Sequence, residues 1–256
     1  MIQRIYRIER GGGERLAIEA DGVWRLLEGD LFGRFEAGDT VEPAGPRLLP
    51  PVRPSKIVAI GLNYKDHAEE TGRPLPEEPM LFIKPSTAVI GSGDPIRLPP
   101  GAGRVDYEAE MGIVIGRRAW RVPKERARDY VLGLICVNDV TARELQRRDV
   151  QFTRAKGFDT FAPLGPCVAV GLDGSALGVE AWVNGARRQA SNTRELVFGV
   201  ADLVAFVSGV MTLLPGDVIA TGTPSGIGPI QPGDRVTVKV EGVGELTNPV
   251  EAIKGR

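Results

Sequence analysis

Asp106-Tyr-Glu-Ala-Glu-Met-Gly-Ile-Val-Ile-Gly116 reads as a β-strand whose second half is apolar without a break. Side chains alternate faces along a strand, so Glu108 and Glu110 stand side by side and Ala109 turns the other way. A second run, Tyr130-Val-Leu-Gly-Leu-Ile-Cys-Val-Asn138, has the pattern of a strand buried on both faces, and Asp139 marks its exit at the rim of the core. Like charges this close raise one another's pKa unless they share a cation. Three oxygen donors, with no cysteine among them and one histidine in the whole chain, suit a hard ion of the Mg²⁺ kind and not Zn²⁺. A solvated acidic face paired with arginines is the competing reading. Spacing alone leaves both open.

At 256 residues and 42% hydrophobic content the chain can bury a sizeable core, as one large domain or a large one with a small appendage. A net charge of −1 gives no basic patch for nucleic acid. No apolar run reaches the roughly 18 residues that a membrane helix needs. The opening residues Met1 to Arg10 alternate apolar and charged side chains, unlike a signal peptide. Cys136 and Cys167 lie in apolar strand-like contexts and read as buried reduced thiols, so a cytoplasmic location is expected.

Residues 1–50 read as a small N-terminal β domain. Gln3–Arg10, Leu16–Ala20 and Val23–Leu27 form a meander, turned at Gly11-Gly-Gly13 and Asp21-Gly22. A Pro-rich linker runs from Pro43 to Pro54, and residues 55–256 form the main domain. There, Asn63 is placed to cap a short helix over Tyr64–Thr71, closed by Gly72. Pro123 starts another turn, Thr141 with Glu144 predicts a capping box for a helix through Arg148, and Gly199–Met211 predicts a core helix. The C-terminal third alternates short strands with Pro-Gly and Gly-rich turns. The pattern predicts an α+β, mainly-β fold in which an irregular rolled sheet carries few short helices.

His67, the one histidine, has Glu70 one helical turn away, the arrangement that fixes an imidazole tautomer for general-base work. A charged exposed helix would show the same pair. Lys156, in a loop among aromatic and glycine residues, either faces a cavity and holds a carboxylate or is a solvated lysine. Ala220-Thr-Gly-Thr-Pro-Ser-Gly-Ile-Gly228 offers amides and hydroxyls as an anion nest, or is a plain turn. It is not a P-loop, since Gly-Lys-Ser/Thr is absent.

In this order the motifs resemble the fumarylacetoacetate hydrolase family: Gly61-Leu-Asn-Tyr-Lys-Asp-His67, Leu81-Phe-Ile-Lys-Pro-Ser86, Asp106–Gly112, Asn138-Asp-Val-Thr-Ala-Arg143, Lys156-Gly-Phe-Asp159 and Thr221-Gly-Thr-Pro-Ser-Gly226. The resemblance spans about residues 55 to 250 and implies a rolled mixed β-fold, a homodimer, and a Mg²⁺ or Mn²⁺ ion that Ca²⁺ can replace in crystals. It implies Glu108, Glu110 and Asp139 as metal ligands, His67, Glu70 and Lys156 as catalytic groups, and Arg143, Gln146, Lys156, Thr223 and Lys84 around the substrate. The substrate implied is a small 2-oxo or 2-hydroxydienoic dicarboxylic acid, processed through an enolate that the ion stabilises. The members it looks like are 2-hydroxyhepta-2,4-diene-1,7-dioate isomerases and 5-oxopent-3-ene-1,2,5-tricarboxylate decarboxylases of aromatic-compound catabolism. Alternatives are an acylpyruvate C–C hydrolase, an oxaloacetate decarboxylase, or a non-catalytic metal-binding relative. The short meander departs from the larger N-terminal domain of the fumarylacetoacetate hydrolases proper, which argues against the namesake substrate.

Overall fold

The computed structural model describes residues 2–42 and 47–253. Its centre is a 12-stranded mixed sheet. Ala109–Ile115 lies antiparallel between Val131–Asn138 and Val218–Ala220. The last of these pairs parallel with Lys56–Gly61, and Met80–Pro85 closes that edge. A side chain on Gly112 would place its Cβ 2.6 Å from Val137 and 2.7 Å from Ile135, so the close approach here requires glycine.

Alternation along these strands feeds two cores. Met111, Ile113 and Ile115 face a five-stranded sheet of Ala186–Asn192, Gly178–Val183, Arg235–Val240, Gly244–Ala252 and Ile96–Leu98, and pack with its Val236, Val238 and Leu246. Val114, Ile135 and Val137 pack on the other side with Ile57, Ala59 and Val218, beneath Val52 and Ala88. Burial on both faces is the reason these runs are apolar without interruption. The expected α+β, mainly-β architecture is the one observed, with few short helices: α1 (Lys65–Thr71), α2 (Arg143–Asp149), α3 (Thr153–Lys156) and α4 (Val200–Val210). Helix α4 buries Leu203, Val204 and Val207 in the first core, as its spacing predicts. No helix among the described residues is long and apolar enough to cross a membrane.

The meander gains a strand that the sequence reading lacked, Phe35–Thr40, whose charged, glycine-broken sequence carries no alternation. Gln3–Arg10 also pairs with Ala162–Val170, so the N-terminal strands continue the main sheet. Ile5, Ile18 and Leu31 form a small core of their own there. Residues 43–46 of the Pro-rich linker lie outside the described residues. Cys136 and Cys167 are buried and free, with their Sγ atoms 3.4 Å and 3.3 Å from the carbonyls of Gly244 and Val243.

Both side-chain caps expected from the sequence are corrected. Asn63 caps nothing, because its amide is spent on distant backbone: Nδ2 donates to Phe198 O and Thr221 O, and Oδ1 accepts from Phe198 N. Thr141 belongs to a two-residue strand and donates to Asp139 O, while Glu144 accepts from the amide of Arg104. Pro123 precedes a 3₁₀ helix, Lys124–Tyr130. Gly72 does close α1, in the left-handed conformation.

Candidate metal centre

The strand read as continuous from Asp106 changes sheets at Glu108. Val105–Tyr107 pairs with Thr141–Ala142 and Gly228–Pro229, and Ala109–Ile115 joins the large sheet. At the break, Glu108 N donates to Asn138 Oδ1 and Asp139 N donates to Glu108 O, 3.0 Å and 2.9 Å. These two bonds tie the exit of one strand to the middle of the other. They bring together three buried carboxylates, Glu108, Glu110 and Asp139, each offering an oxygen within 4.8 Å of the others.

Cations cover two of the three. Lys156 Nζ lies 2.8 Å from Glu108 Oε2 and 2.6 Å from Asp139 Oδ2. Lys84 Nζ lies 2.6 Å from Asp139 Oδ1, and Arg143 bridges Glu108 Oε1 at 2.5 Å and Asp106 Oδ2 at 2.8 Å. Burial pushes the Glu108 carboxyl up, but Lys156 and Arg143 outweigh it and hold the group well below the usual carboxylate range. Glu110 is the opposite case. Its partner is the amide of Gly222 at 2.8 Å, and among the described residues no lysine or arginine pairs with it. Burial, then the charges of Asp139 and Glu108, push its carboxyl well above the usual range. A hard oxygen donor set with one uncovered acid, at the floor of a cavity, fits a divalent cation.

The two lysines differ as well. Burial lowers Lys156, but Asp139 and Glu108 more than restore it, and the ammonium is held above its ordinary range. Burial, aided by Lys156, holds the fully enclosed Lys84 below its ordinary range despite Asp139. Lys156 is no loop residue: it ends α3, with Nζ over the Phe82 ring at 4.9 Å. The aromatic wall replaces the water that would solvate an exposed lysine.

A cavity of about 490 Å³ is lined by the three carboxylates together with His67, Arg143, Gln146, Lys156 and Thr223. Two of the anticipated residues stand behind its wall. Lys84 lies under Asp139, and Glu70 backs His67, with Oε2 2.9 Å from Nδ1. Gln146 accepts from Arg143 Nη1 at 2.9 Å. The Thr223 hydroxyl is committed to Ala109 O, 2.9 Å away. The loop read as an anion nest does bind carboxyl groups, but they are the protein's own: Gly222 N donates to Glu110, and Gly226 N to Glu70 Oε1 at 3.0 Å.

Sequence reasoning missed Asn138, Asp106 and Gln189, all buried. Gln189 accepts from Ala109 N and donates to Thr223 Oγ1 and Pro224 O, stitching loop to strand. Asn138 carries a signal, being a polar residue at the end of an apolar run. Gln189, in an arginine-rich hairpin, carries none.

Residues 56–251 match the family described as fumarylacetoacetate (FAA) hydrolase C-terminal. The solved 5-carboxymethyl-2-hydroxymuconate delta-isomerase from Mycobacterium smegmatis is 46% identical, with a TM-score of 0.91 over 98% of this chain and 100% of that one. The 2-hydroxyhepta-2,4-diene-1,7-dioate isomerase from Mycobacterium marinum is 42% identical, with a TM-score of 0.91 over 99% and 100%. A maleylpyruvate hydrolase from Sphingobium sp. SYK-6, solved with manganese(II) and pyruvate, is 29% identical, with a TM-score of 0.82 over 98% and 100%.

Proposed function

The chain belongs to the fumarylacetoacetate hydrolase family, and from this we propose that it is a divalent-metal-dependent isomerase or decarboxylase of 2-oxo or 2-hydroxydienoic dicarboxylic acids. The observation that carries the reading is the buried trio Glu108, Glu110 and Asp139 at the floor of a cavity whose wall holds His67. These carboxylates would hold Mg²⁺ or Mn²⁺, and the ion, when bound, supplies a Lewis acid that polarises the substrate's 2-oxo group.

The charges around the trio favour a diacid. Three carboxylates face Lys84, Lys156 and Arg143, while Asp106 is paired with Arg104. The trio and its paired cations are therefore balanced before an ion arrives. A divalent ion adds two positive charges to those of Arg73 and Arg147 in the cavity lining, which favours a substrate with more than one carboxylate. Arg73 and Arg147 line the same cavity and would meet the second carboxylate, with Arg able to grip it bidentately.

The protein's own residues then have these tasks. Arg143 and Lys156 orient the first carboxylate and oppose negative charge that develops beside the oxo group. An ionised Glu70 accepts at Nδ1, so a neutral His67 would carry its proton there and leave Nε2 free to act in the cavity that His67 lines. From Nε2 it takes a proton at one substrate carbon and returns it at another. In the second reading, C–C hydrolysis like that named for the Sphingobium relative, the same nitrogen activates water. Two copies forming a homodimer belong to the proposal.

Turnover of a hydroxymuconate-type dioate, oxaloacetate and an acylpyruvate, with Mg²⁺ or Mn²⁺ and after EDTA, tests the reading. EDTA is expected to abolish turnover of the dioate and either ion to restore it. Preference for the acylpyruvate would favour hydrolysis. Ion binding without turnover of any of the three would leave a non-catalytic relative.

A further inference from the structure

Residues 222–226, after the strand Val218–Ala220, are fastened to the metal-ligand segment at three points. Gly222 N holds Glu110, Thr223 Oγ1 donates to Ala109 O, and Tyr107 Oη donates to Gly226 O at 2.9 Å. The third contact leads elsewhere. Gly226 N donates to Glu70 Oε1 at 3.0 Å, and Glu70 Oε2 faces His67 Nδ1 at 2.9 Å. One residue of the loop is thus gripped through its carbonyl and grips through its amide.

The local sequence makes this possible. Tyr107 is opposite Gly228 in the register, where a Cβ would stand 3.1 Å from the phenol oxygen. Gly226 has φ +93°, and a Cβ there would lie 2.4 Å from Arg188 O, so only glycine allows the chain to pass here. Glu70, in contrast, is 38% exposed on a seven-residue helix. Unrestrained, its carboxylate would sample several rotamers.

We propose that Tyr107 is a positioning residue for the His67–Glu70 pair, acting through Gly226 to fix the Glu70 carboxylate against Nδ1 and so select the imidazole tautomer. The consequence for turnover rests on the proton-carrying role proposed above for His67. The positioning itself does not.

Because the chain has one histidine, ¹⁵N-histidine labelling reads that ring alone. The 256-residue chain is compared with Tyr107→Phe and Glu70→Gln, without substrate, at a pH where the ring is neutral. The wild type is expected to show a protonated Nδ1 and an unprotonated Nε2. Glu70→Gln should break that pattern, and Tyr107→Phe should move both ¹⁵N shifts toward the averaged values of free imidazole. For an accepted substrate, Tyr107→Phe should lower kcat about fivefold to tenfold, the rate equivalent of one hydrogen bond, with KM and Mn²⁺ affinity within twofold. Wild-type ¹⁵N shifts in Tyr107→Phe overturn the proposal. So does a loss of Mn²⁺ affinity that accompanies the change, because the variant would then act through neighbouring Glu108. An enzyme inactive on every assayed acid defeats the proposed function, while the ¹⁵N pattern still decides the role of Tyr107.

Discussion

Lys156 stands where a positive charge is needed if Glu108 and Asp139 are to remain ionised side by side. Lys156→Met would leave Glu108 with Arg143 alone and Asp139 with Lys84 alone, and removing one partner of a buried ion pair costs about 3–5 kcal/mol. An added ion should offset part of that cost. Thermal melts of the variant are expected to fall well below wild type in EDTA and to recover with Mn²⁺, while turnover drops at least about 100-fold. Equal melting temperatures in EDTA would mean that the lysine does not balance the trio. At the cavity mouth the effect should be on selectivity. Arg147→Ala is expected to raise KM for a dicarboxylate about fivefold, the worth of a partly exposed charged contact, and to leave a monocarboxylate within twofold. Equal effects on both acids would remove Arg147 from distal recognition. The nearness of the three acids was legible in the sequence, because two-residue spacing and a charge at a buried strand's exit are local signals, but spacing left their role open and did not show the break at Glu108. Burial of Lys156 and Lys84 was not legible, since it depends on residues brought in from far along the chain.

Among the elements, Asp217 fixes how two strands begin. Its buried carboxylate accepts from Ser55 N and Oγ, Lys56 N and Nζ, and Leu214 N. It thereby locks the start of Lys56–Gly61 beside Val218–Ala220. Burial pushes this carboxyl up, but the Leu214 amide, the Lys56 ammonium and the Ser55 hydroxyl outweigh it and hold it below its ordinary value. A group depressed on folding stabilises at pH above its unfolded value, and the benefit drains away as pH falls through the folded one. Asp217→Asn is therefore expected to lose about 2–4 kcal/mol at pH 7 and distinctly less near pH 3, by urea denaturation at both. A constant difference would mean that the loss is steric. The two mistaken caps have one cause at this scale. Asn63 and Thr141 have the right chemistry for a helix start, but long-range structure takes both: the Asn63 amide is spent on distant backbone, and Thr141 is held in a strand opposite Asp106 with its hydroxyl on Asp139 O.

At the scale of the molecule, the N-terminal strands extend the main sheet through Gln3–Ile5 against Val168–Val170. Ile5→Ala, in the small core of that region, is expected to cost about 2–4 kcal/mol and to shift a single calorimetric transition. A separate early transition would show that the meander melts alone. The meander's turns were readable from Asp-Gly and the glycine run. Its partner strand was not, because no local pattern reports which distant edge a strand will join. The same sheet encloses both thiols, and burial pushes Cys167 up to about 12 and Cys136 higher still. With no other sulfhydryl in the chain, alkylating reagents have nothing to attack until the fold breathes. Pulsed alkylation followed by mass spectrometry would therefore count openings at two neighbouring strands, a built-in clock that needs no engineered label.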